Sequence, residues 1–430
     1  MIQNERPVIA DSLWTATANQ SVKHPVLRGA HRADVVVIGA GYTGLSAALH
    51  LAESGASVIV IDAQHPGWGA SGRNGGQVNV GLKDGPSAIK AKFGDHWGDR
   101  MIRMAGNAGD LVFDLIDRHK IDCAATRPGW LRAAHTPKTL RQLHALAADW
   151  EDYGGGMQTL DRDEMHSRTG TDAYLGGVID HRGGLLHPLN YALGLAAAAQ
   201  RYGAVIFGGS GARSIQKEGC GYRVACPEGN IAASKVLLCT NAYSGDVEKP
   251  LAQSVLPVRS VQVATAPLSD NLRISILSEG NTLSDTRRLL LYFRKDAEGR
   301  FIMGGRGTYN DASTQKQIDW LRGISVKLFP QLQGVEWQHA WGGFVALTRD
   351  HYPHLHEIKP GMMAGLGYNG RGVAIATAMG RVLAQWALGQ HPDDLEFPVS
   401  PVKPLPFSFA RTYAVEAEIL RLRLLDKLGV

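Results

Sequence analysis

Apolar and polar positions follow two rhythms along this chain, and the switches between them mark its elements. Val35 to Ile38 is a short apolar, β-branched run, the pattern of a strand buried on both faces. Leu45, Ala48, Leu49 and Ala52 then recur at helical spacing, so one stripe of the next helix faces a sheet. Gly55 ends that helix, and Val58 to Ile61 predicts a second strand. Leu186 to Ile206 reads as a helix followed by a strand, after which Gly208 to Ala212 turns back. Far downstream, Met362 to Leu366 reads as a strand that leads through a glycine turn into a helix from about Gly372 to Leu388. Val373, Ala376, Thr377, Gly380, Leu383, Ala384 and Ala387 form its apolar stripe. A glycine inside a helix costs about 1 kcal/mol relative to alanine, so Gly380 is expected to pack closely against a strand. In contrast, "SVLPVRSVQVATAPL" and "RRLLLYFRKDAEGRFIMGG" alternate apolar and polar residues around turns, as antiparallel strands do.

The first strand–helix–strand unit carries candidate chemistry. Gly39, Gly41 and Gly44 stand at G-x-G-x-x-G spacing, with Tyr42 and Thr43 opening the helix, and Asp62 closes the second strand 21 residues after Gly41. Glycines alone also serve ordinary turns, but strand, helix, second strand and terminal acid are all in register here. In that arrangement Gly39 permits the tight turn, Gly41 lets the backbone approach a pyrophosphate, and Gly44 lets helix and strand touch. The helix start supplies free N–H groups and a positive dipole end. Asp62, followed by Ala63, would accept from ribose hydroxyls and repel a 2′-phosphate, which disfavours NADP. The unit predicts binding of the ADP half of FAD or NAD.

Two further pieces favour FAD. "PGWGASGRNGGQV" places Gly69, Ala70, Ser71, Arg73, Asn74, Gly75, Gly76 and Gln77 in a loop at the carboxyl end of a strand, where ligands sit in doubly wound sheets. A flexible surface loop would suit the composition equally, but a backbone able to lie against a large planar ring suits the position better. The distal turn, with Gly367, Asn369, Gly370, Gly372 and Val373, makes a second helix start that can approach a ligand. Its dipole would stabilise negative charge developing on a reduced flavin ring.

Bulk properties narrow the class. A chain of 430 residues with 44% hydrophobic and 20% charged content is long enough for two domains of a soluble globular protein. The net charge of +5, from basic residues spread along the chain, argues against nucleic-acid binding and agrees weakly with an anionic small substrate. The N-terminal segment lacks a secretory pattern and no apolar run reaches membrane-spanning length. Cys123, Cys220, Cys226 and Cys239 show no metal or C-x-x-C spacing, so a cytoplasmic protein with free thiols is expected. His351, His354 and His356 fall within six residues, but no cysteine lies nearby and no metal site is expected. Ser71 lacks the elbow of a hydrolase nucleophile.

The segments "VVVIGAGYTGLSAALHLAESGASVIVID", "WGASGRNGGQV", "RGGLLHPLNYALGLAAAAQRYGA", "KVLLCTNAYS", "RFIMGGRG", "WGGFVALTRDHYPHL" and "GLGYNGRGVAIATAMGRVLA" cover nearly the whole chain. Together they resemble the D-amino-acid-oxidase-like flavoproteins, the glycine and sarcosine oxidase superfamily. The nearest branch looks like gamma-glutamylputrescine oxidoreductase and bacterial L-pipecolate oxidase-like proteins, which share a "SLW-x-A-T-A" segment like Ser12 to Ala18. The resemblance implies an α/β fold, with a Rossmann-like FAD-binding domain (30–100, 175–250 and 340–398) interleaved with an α+β substrate domain built on an antiparallel sheet (101–174 and 251–339). A helical tail over 399–430 would follow, with a helix at Arg411 to Leu428.

The same resemblance implies that Ala212, Asn241 and Gly343 join the FAD contacts, and that Tyr292, Arg294, Trp341, Tyr368 and Arg371 face the substrate. Its relatives oxidise a carbon–nitrogen bond of an amine or amino acid by hydride transfer, and return electrons to dioxygen or a quinone-type acceptor. L-pipecolate-type imino acids and gamma-glutamyl polyamines are the two substrate candidates. Two departures matter. Sarcosine oxidases link flavin through a cysteine beyond the position of Cys239, where this chain has none, so that linkage is excluded and non-covalent FAD is expected. Ala374 stands where those enzymes carry a carboxylate-binding lysine, leaving Arg259, Arg294, Arg306 and Arg371 as candidate anchors. An NAD-dependent dehydrogenase is opposed by the Gly69–Gln77 loop and the distal turn. A flavoprotein acting on tRNA is opposed by the lack of a basic cluster.

Overall fold

A computed structural model describes residues 12–19, 23–307, 311–406 and 421. One sheet has a parallel spine in which Met362–Leu366, Gly229–Leu238, Gly29–Ile38, Val58–Ile61 and Val205–Phe207 lie side by side. His354–Lys359 adds an antiparallel edge, and the hairpin of Ser214–Glu218 with Gly221–Ala225 extends from Gly229–Leu238. Alternation explains why the central strands are apolar throughout. Val35, Val37, Val58 and Val60 enter the core on one face, while Val36, Ile38, Ile59 and Ile61 enter the core on the other.

Helices Tyr42–Glu53 and Gly372–Ala387 lie on the first of these faces. Gly44 allows the first helix to touch its strand, since a Cβ there would stand 1.9 Å from Gly39 O. Gly380 has a different role from the expected contact with a strand. Its Cβ would meet Thr43 O at 2.5 Å and Ser46 Cβ at 2.7 Å, so it lets the two helices meet each other. Ser46 Oγ also donates to Thr377 O across that contact at 2.8 Å. Helical periodicity finds the buried stripe but does not say which neighbour fills it.

The second sheet runs in the order Trp337–Leu347, Leu256–Pro267, Arg300–Arg306, Leu291–Lys295, Thr282–Asp285, Trp130–Ala133, Gly177–Asp180 and Met157–Leu160. Its pairs are antiparallel except Thr282–Asp285 with Trp130–Ala133. Period-two alternation again sorts the residues. Val261 and Val263 enter the core behind the sheet, while Ser260 and Gln262 face the opposite way. The chain thus visits the first sheet over 29–61, the second over 130–180, the first over 205–238, the second over 256–347 and the first again over 354–366. Gly177–Asp180 and Trp337–Leu347, set by sequence in or across the FAD-binding segments, hydrogen-bond into the second sheet. Short buried strands carry no mark of which sheet they join. The expected helix at Arg411 to Leu428 lies outside the described residues, apart from Arg421. No helix among the described residues is long and apolar enough to cross a membrane.

Candidate active site

A cavity of about 330 Å³ opens where the carboxyl ends of the parallel strands meet the second sheet. Ile38, Ile61 and Cys239, at or just past three of those ends, line it, as expected for a ligand crevice in a doubly wound sheet. At one end Asp62 Oδ2 accepts from the Ala40 N–H and Oδ1 from the Gln64 N–H, both at 2.8 Å. Burial pushes its carboxyl pKa up, against those two bonds. Gly41 caps the helix Tyr42–Glu53 without a side-chain bond, and Arg371 does the same for Gly372–Ala387. Two helix starts without an N-cap side-chain bond therefore face one cavity, because Gly380 allows those helices to lie together.

The loop after the second strand is braced from within. Asn74 Nδ2 donates to Ala70 O and Ser71 O, at 3.0 and 2.9 Å, and Asn74 Oδ1 accepts from the Gly76 N–H at 2.8 Å. Ser71 Oγ accepts from the Tyr42 N–H at 2.9 Å, which fastens the loop to the helix start. Arg73 Nε donates to Trp68 O at 2.8 Å, with its guanidinium over the Trp68 ring. Asn241, at positive φ, accepts from the Gly367 N–H at 3.0 Å and ties the distal turn to the neighbouring strand end.

Most of the residues expected from sequence converge here. Gly39, Gly41, Tyr42, Thr43, Asp62, Ala63, Gly69, Ala70, Ser71, Arg73, Asn74, Gly75 and Gln77 line the cavity. So do Ala212, Asn241, Gly343, Asn369, Gly370, Gly372, Val373, Tyr292 and Tyr368. Gly44, Gly76 and Gly367 stand just behind the wall, where a Cβ would strike Gly39 O, Leu186 O or the Thr348 side chain. Three candidates expected at the substrate lie outside the lining. Trp341 Nε1 turns to Arg73 O at 3.0 Å. Arg294 donates to Gly76 O and Leu186 O behind the loop. Arg371 caps its helix with Nε buried and unpartnered, its pKa brought down to about 10 by burial. Residue type and spacing do not say to which side of a loop a long side chain turns.

Sequence reasoning also missed several contacts. Trp68, Asn79, Ser260, Gln262 and Tyr243 line the cavity. The signal available was the pair of polar positions, Ser260 and Gln262, two apart and flanking the buried Val261. Tyr292 Oη shares a hydrogen bond with Ser260 Oγ at 2.8 Å, and burial raises its pKa to about 12. Gln262 Nε2 donates to Arg73 O at 2.6 Å, which leaves its buried Oε1 without a partner. Trp68 Nε1 and Asn79 Oδ1 are likewise buried and unpartnered on the cavity wall. The walls thus offer two helix starts, a ribose acceptor and orphaned polar atoms around an apolar slot, which fits a flavin dinucleotide. Among the described residues no group of three or more His, Cys, Asp or Glu is placed to hold a metal. His354 pairs with Asp350 at 3.1 Å and His356 Nδ1 contacts Ser400 O at 2.7 Å.

This combination of fold and cavity defines a dinucleotide-binding flavoenzyme. A family model described as "FAD dependent oxidoreductase" (DAO) matches residues 34–386, and the chain belongs to that family. It is an FAD-dependent oxidoreductase acting on amines or amino acids. It is 36% identical to the "Probable oxidoreductase OrdL" of Rhizobium meliloti over 381 residues, covering 88% of each chain. It is 33% identical to gamma-glutamylputrescine oxidoreductase of Escherichia coli over 380 residues, covering 88% of this chain and 89% of that one. The crystal structure of glycine oxidase from Geobacillus kaustophilus shares the fold, with a TM-score of 0.69 at 20% identity over 84% of this chain and 96% of that one.

Proposed function

We propose that the protein oxidises a carbon–nitrogen bond in an amine that also carries a carboxylate, with gamma-glutamyl polyamines as the preferred class. The observation that carries this reading is the 33% identity to gamma-glutamylputrescine oxidoreductase along 88% of the chain. Arg306 adds to it. It lines the cavity, and no acceptor or carboxylate among the described residues pairs with it, so a substrate carboxylate would find two free donors there. A six-membered imino acid such as L-pipecolate would need a closed aromatic box of Tyr292, Trp341 and Tyr368. The turn of Trp341 towards Arg73 O opposes that box.

FAD, when bound, supplies the hydride acceptor. The protein's residues supply orientation and electrostatics. Asp62 and the helix start at Gly41 would hold ribose and pyrophosphate. Gln262 Oε1, fixed by its own Nε2 bond, is placed to accept from a substrate N–H, and the Tyr292–Ser260 pair to donate to a substrate carbonyl or carboxylate. The lining holds no His or Glu among the described residues, and its one acid, Asp62, is committed to main-chain N–H groups. The amine therefore loses its proton to solvent rather than to a protein base. Electrons would leave to dioxygen or a quinone-type acceptor. Four free cysteines support a reducing compartment such as the cytoplasm.

The test is anaerobic mixing with gamma-glutamylputrescine, L-pipecolate and putrescine while flavin absorbance is followed. Rapid bleaching by the first alone supports the reading. Rapid bleaching by carboxylate-free putrescine, with none by the other two, overturns it.

A further inference from the structure

The segment Ser12–Asn19 and the buried Arg294 are left unused by the chemistry above. Leu13 and Trp14 are fully buried although they belong to a helix of four residues. So short a helix has no stability of its own, and its place is set by what it covers. Trp14 Nε1 donates to Asn74 O at 2.8 Å. Its ring stands edge-on to His187 and Trp341, at centroid distances of 5.0 and 5.7 Å. The Arg294 guanidinium lies 5.0 Å from the Trp14 ring centre.

Arg294 is 2% exposed, and no carboxylate among the described residues pairs with it. Its Nη1 donates to two main-chain carbonyls, Leu186 O at 2.8 Å and Gly76 O at 3.2 Å, while Nε is buried without a partner. The groups around it compensate that charge only in part: burial lowers its pKa to about 10, with Asp296 acting the other way. Burial, helped by Arg294, brings His187 down to about 4, and burial holds the Tyr42 hydroxyl protonated. Asp296, just past the end of the strand, is paired with Arg300 at 3.1 Å. An unpaired buried cation is costly, and carbonyl dipoles offset only part of that cost.

The Arg73–Gly76 loop lies between this cation and the cavity: Arg73, Asn74 and Gly75 line the cavity, and a Cβ on Gly76 would stand 2.8 Å from Arg294 Nη1. Arg73 O is taken by Trp341 Nε1 and Gln262 Nε2, Asn74 O by Trp14, and Gly76 O by Arg294 and the Leu186 N–H. Asn74 O and Gly76 O are thus taken by Trp14 and Arg294, which lie outside the cavity lining, while Arg73 O is shared between Trp341 and the cavity-wall residue Gln262. The loop also sits where Tyr292 and the second sheet close the cavity, since a Cβ on Gly75 would meet Tyr292 Cε2 at 3.0 Å.

We propose that Arg294 is a positioning residue for the flavin: behind the Arg73–Gly76 loop it holds a positive potential at the ring end of the cavity, and the Ser12–Asn19 segment seals it from water. Reduction places negative charge on the flavin ring, and a dry cation nearby stabilises that charge far more than a hydrated one does. The stored cost of the buried guanidinium is relieved when the flavin is reduced. The proposal rests on FAD binding and is independent of which amine is oxidised.

The test is a reductive titration of the FAD-loaded protein against reference dyes, using dithionite rather than substrate. Arg294→Gln keeps a donor for the carbonyls but removes the charge, and Arg294→Lys keeps the charge. Arg294→Gln should retain FAD yet shift the equilibrium at least tenfold towards oxidised flavin, about 30 mV more negative for a two-electron couple. Arg294→Lys should stay within threefold of the parent. Trp14→Phe, which removes the N–H that holds Asn74 O together with part of the ring that covers Arg294, should shift it in the same direction as Arg294→Gln but less. An Arg294→Gln protein with bound FAD and the parent potential overturns the proposal, as does an Arg294→Lys protein that falls as far as Arg294→Gln. If Arg294→Gln does not load FAD, a parent-like potential in Trp14→Phe or a lowered one in Arg294→Lys overturns it equally.

Discussion

At the scale of single residues, charge placement separates binding from support. Asp62 lies on the cavity wall with both oxygens held by main-chain N–H groups, so its remaining lone pairs are aimed rather than free to wander. Replacing it with alanine should cost about 1.5–3 kcal/mol of FAD binding, the range for a hydrogen bond to a charged group. Equilibrium dialysis of the apoprotein measures this directly, and unchanged affinity would remove Asp62 from the ribose site. Arg306 differs from Arg294 in facing the cavity instead of the loop's back. Arg306→Gln should raise KM for a carboxylate-bearing amine at least tenfold while changing kcat little, because an anchor far from the reacting bond contributes uniform binding. A carboxylate-free amine should show no such rise, and an equal loss for both would mean a structural role. Both arginines were legible as candidate anchors, but only the folded loop reveals which one turns inwards.

At the scale of elements, the contact between helices Tyr42–Glu53 and Gly372–Ala387 decides whether two distant glycine turns serve one ligand. Gly380 is its narrowest point. Gly380→Ala places a methyl 2.5 Å from Thr43 O, on the turn that lines the cavity. Overpacking of this kind costs about 1–3 kcal/mol, so a lower melting temperature and weaker FAD retention should appear together. A melting temperature at or above the parent's would show that the helices part without strain. The elements themselves were largely readable. Val58–Ile61 and Met362–Leu366 occupy the residues expected, and the distal helix ends within one residue of its expected limit. The membership of Gly177–Asp180 and Trp337–Leu347 in the second sheet was not readable, because hydrogen-bond partners leave no periodic trace.

For the whole molecule, protons provide two checks. The neutral fraction of an amine substrate grows with pH and the cavity lining holds no His or Glu among the described residues, so kcat/KM should rise tenfold per pH unit until the amine's own pKa. Tyr292, raised to about 12, stays protonated throughout that range. A break near pH 6.5 in a stopped-flow profile would instead expose a histidine base. Stability should show the opposite end of the scale. Burial brings His187 and His356 down to about 4 in the folded protein, below the ordinary value of about 6.5 that the unfolded chain keeps. The unfolded chain therefore binds those protons first. The stabilisation is complete above about pH 6.5, falls as pH drops towards 4, and levels off once both states are protonated, at about 1–3 kcal/mol per histidine. Denaturant titrations at successive pH values check this, and His356→Gln should flatten the curve.

What the chain's sequence determined by itself was local: the strand–turn–helix units, their glycines, the acid after the second strand and so the class of cofactor. These depend on backbone conformations and spacings within about thirty residues, and short-range sterics leave them few alternatives. What only the tertiary structure decided was direction and company. Arg294 and Trp341 carry the residue types of a substrate site, yet each turns to main-chain carbonyls supplied by a remote segment. Gln262 and Ser260 become cavity residues only because the second sheet presents their face to the first. The reason is physical: a side chain's role is set by the partners that satisfy its polar atoms, and here those partners lie up to hundreds of residues away.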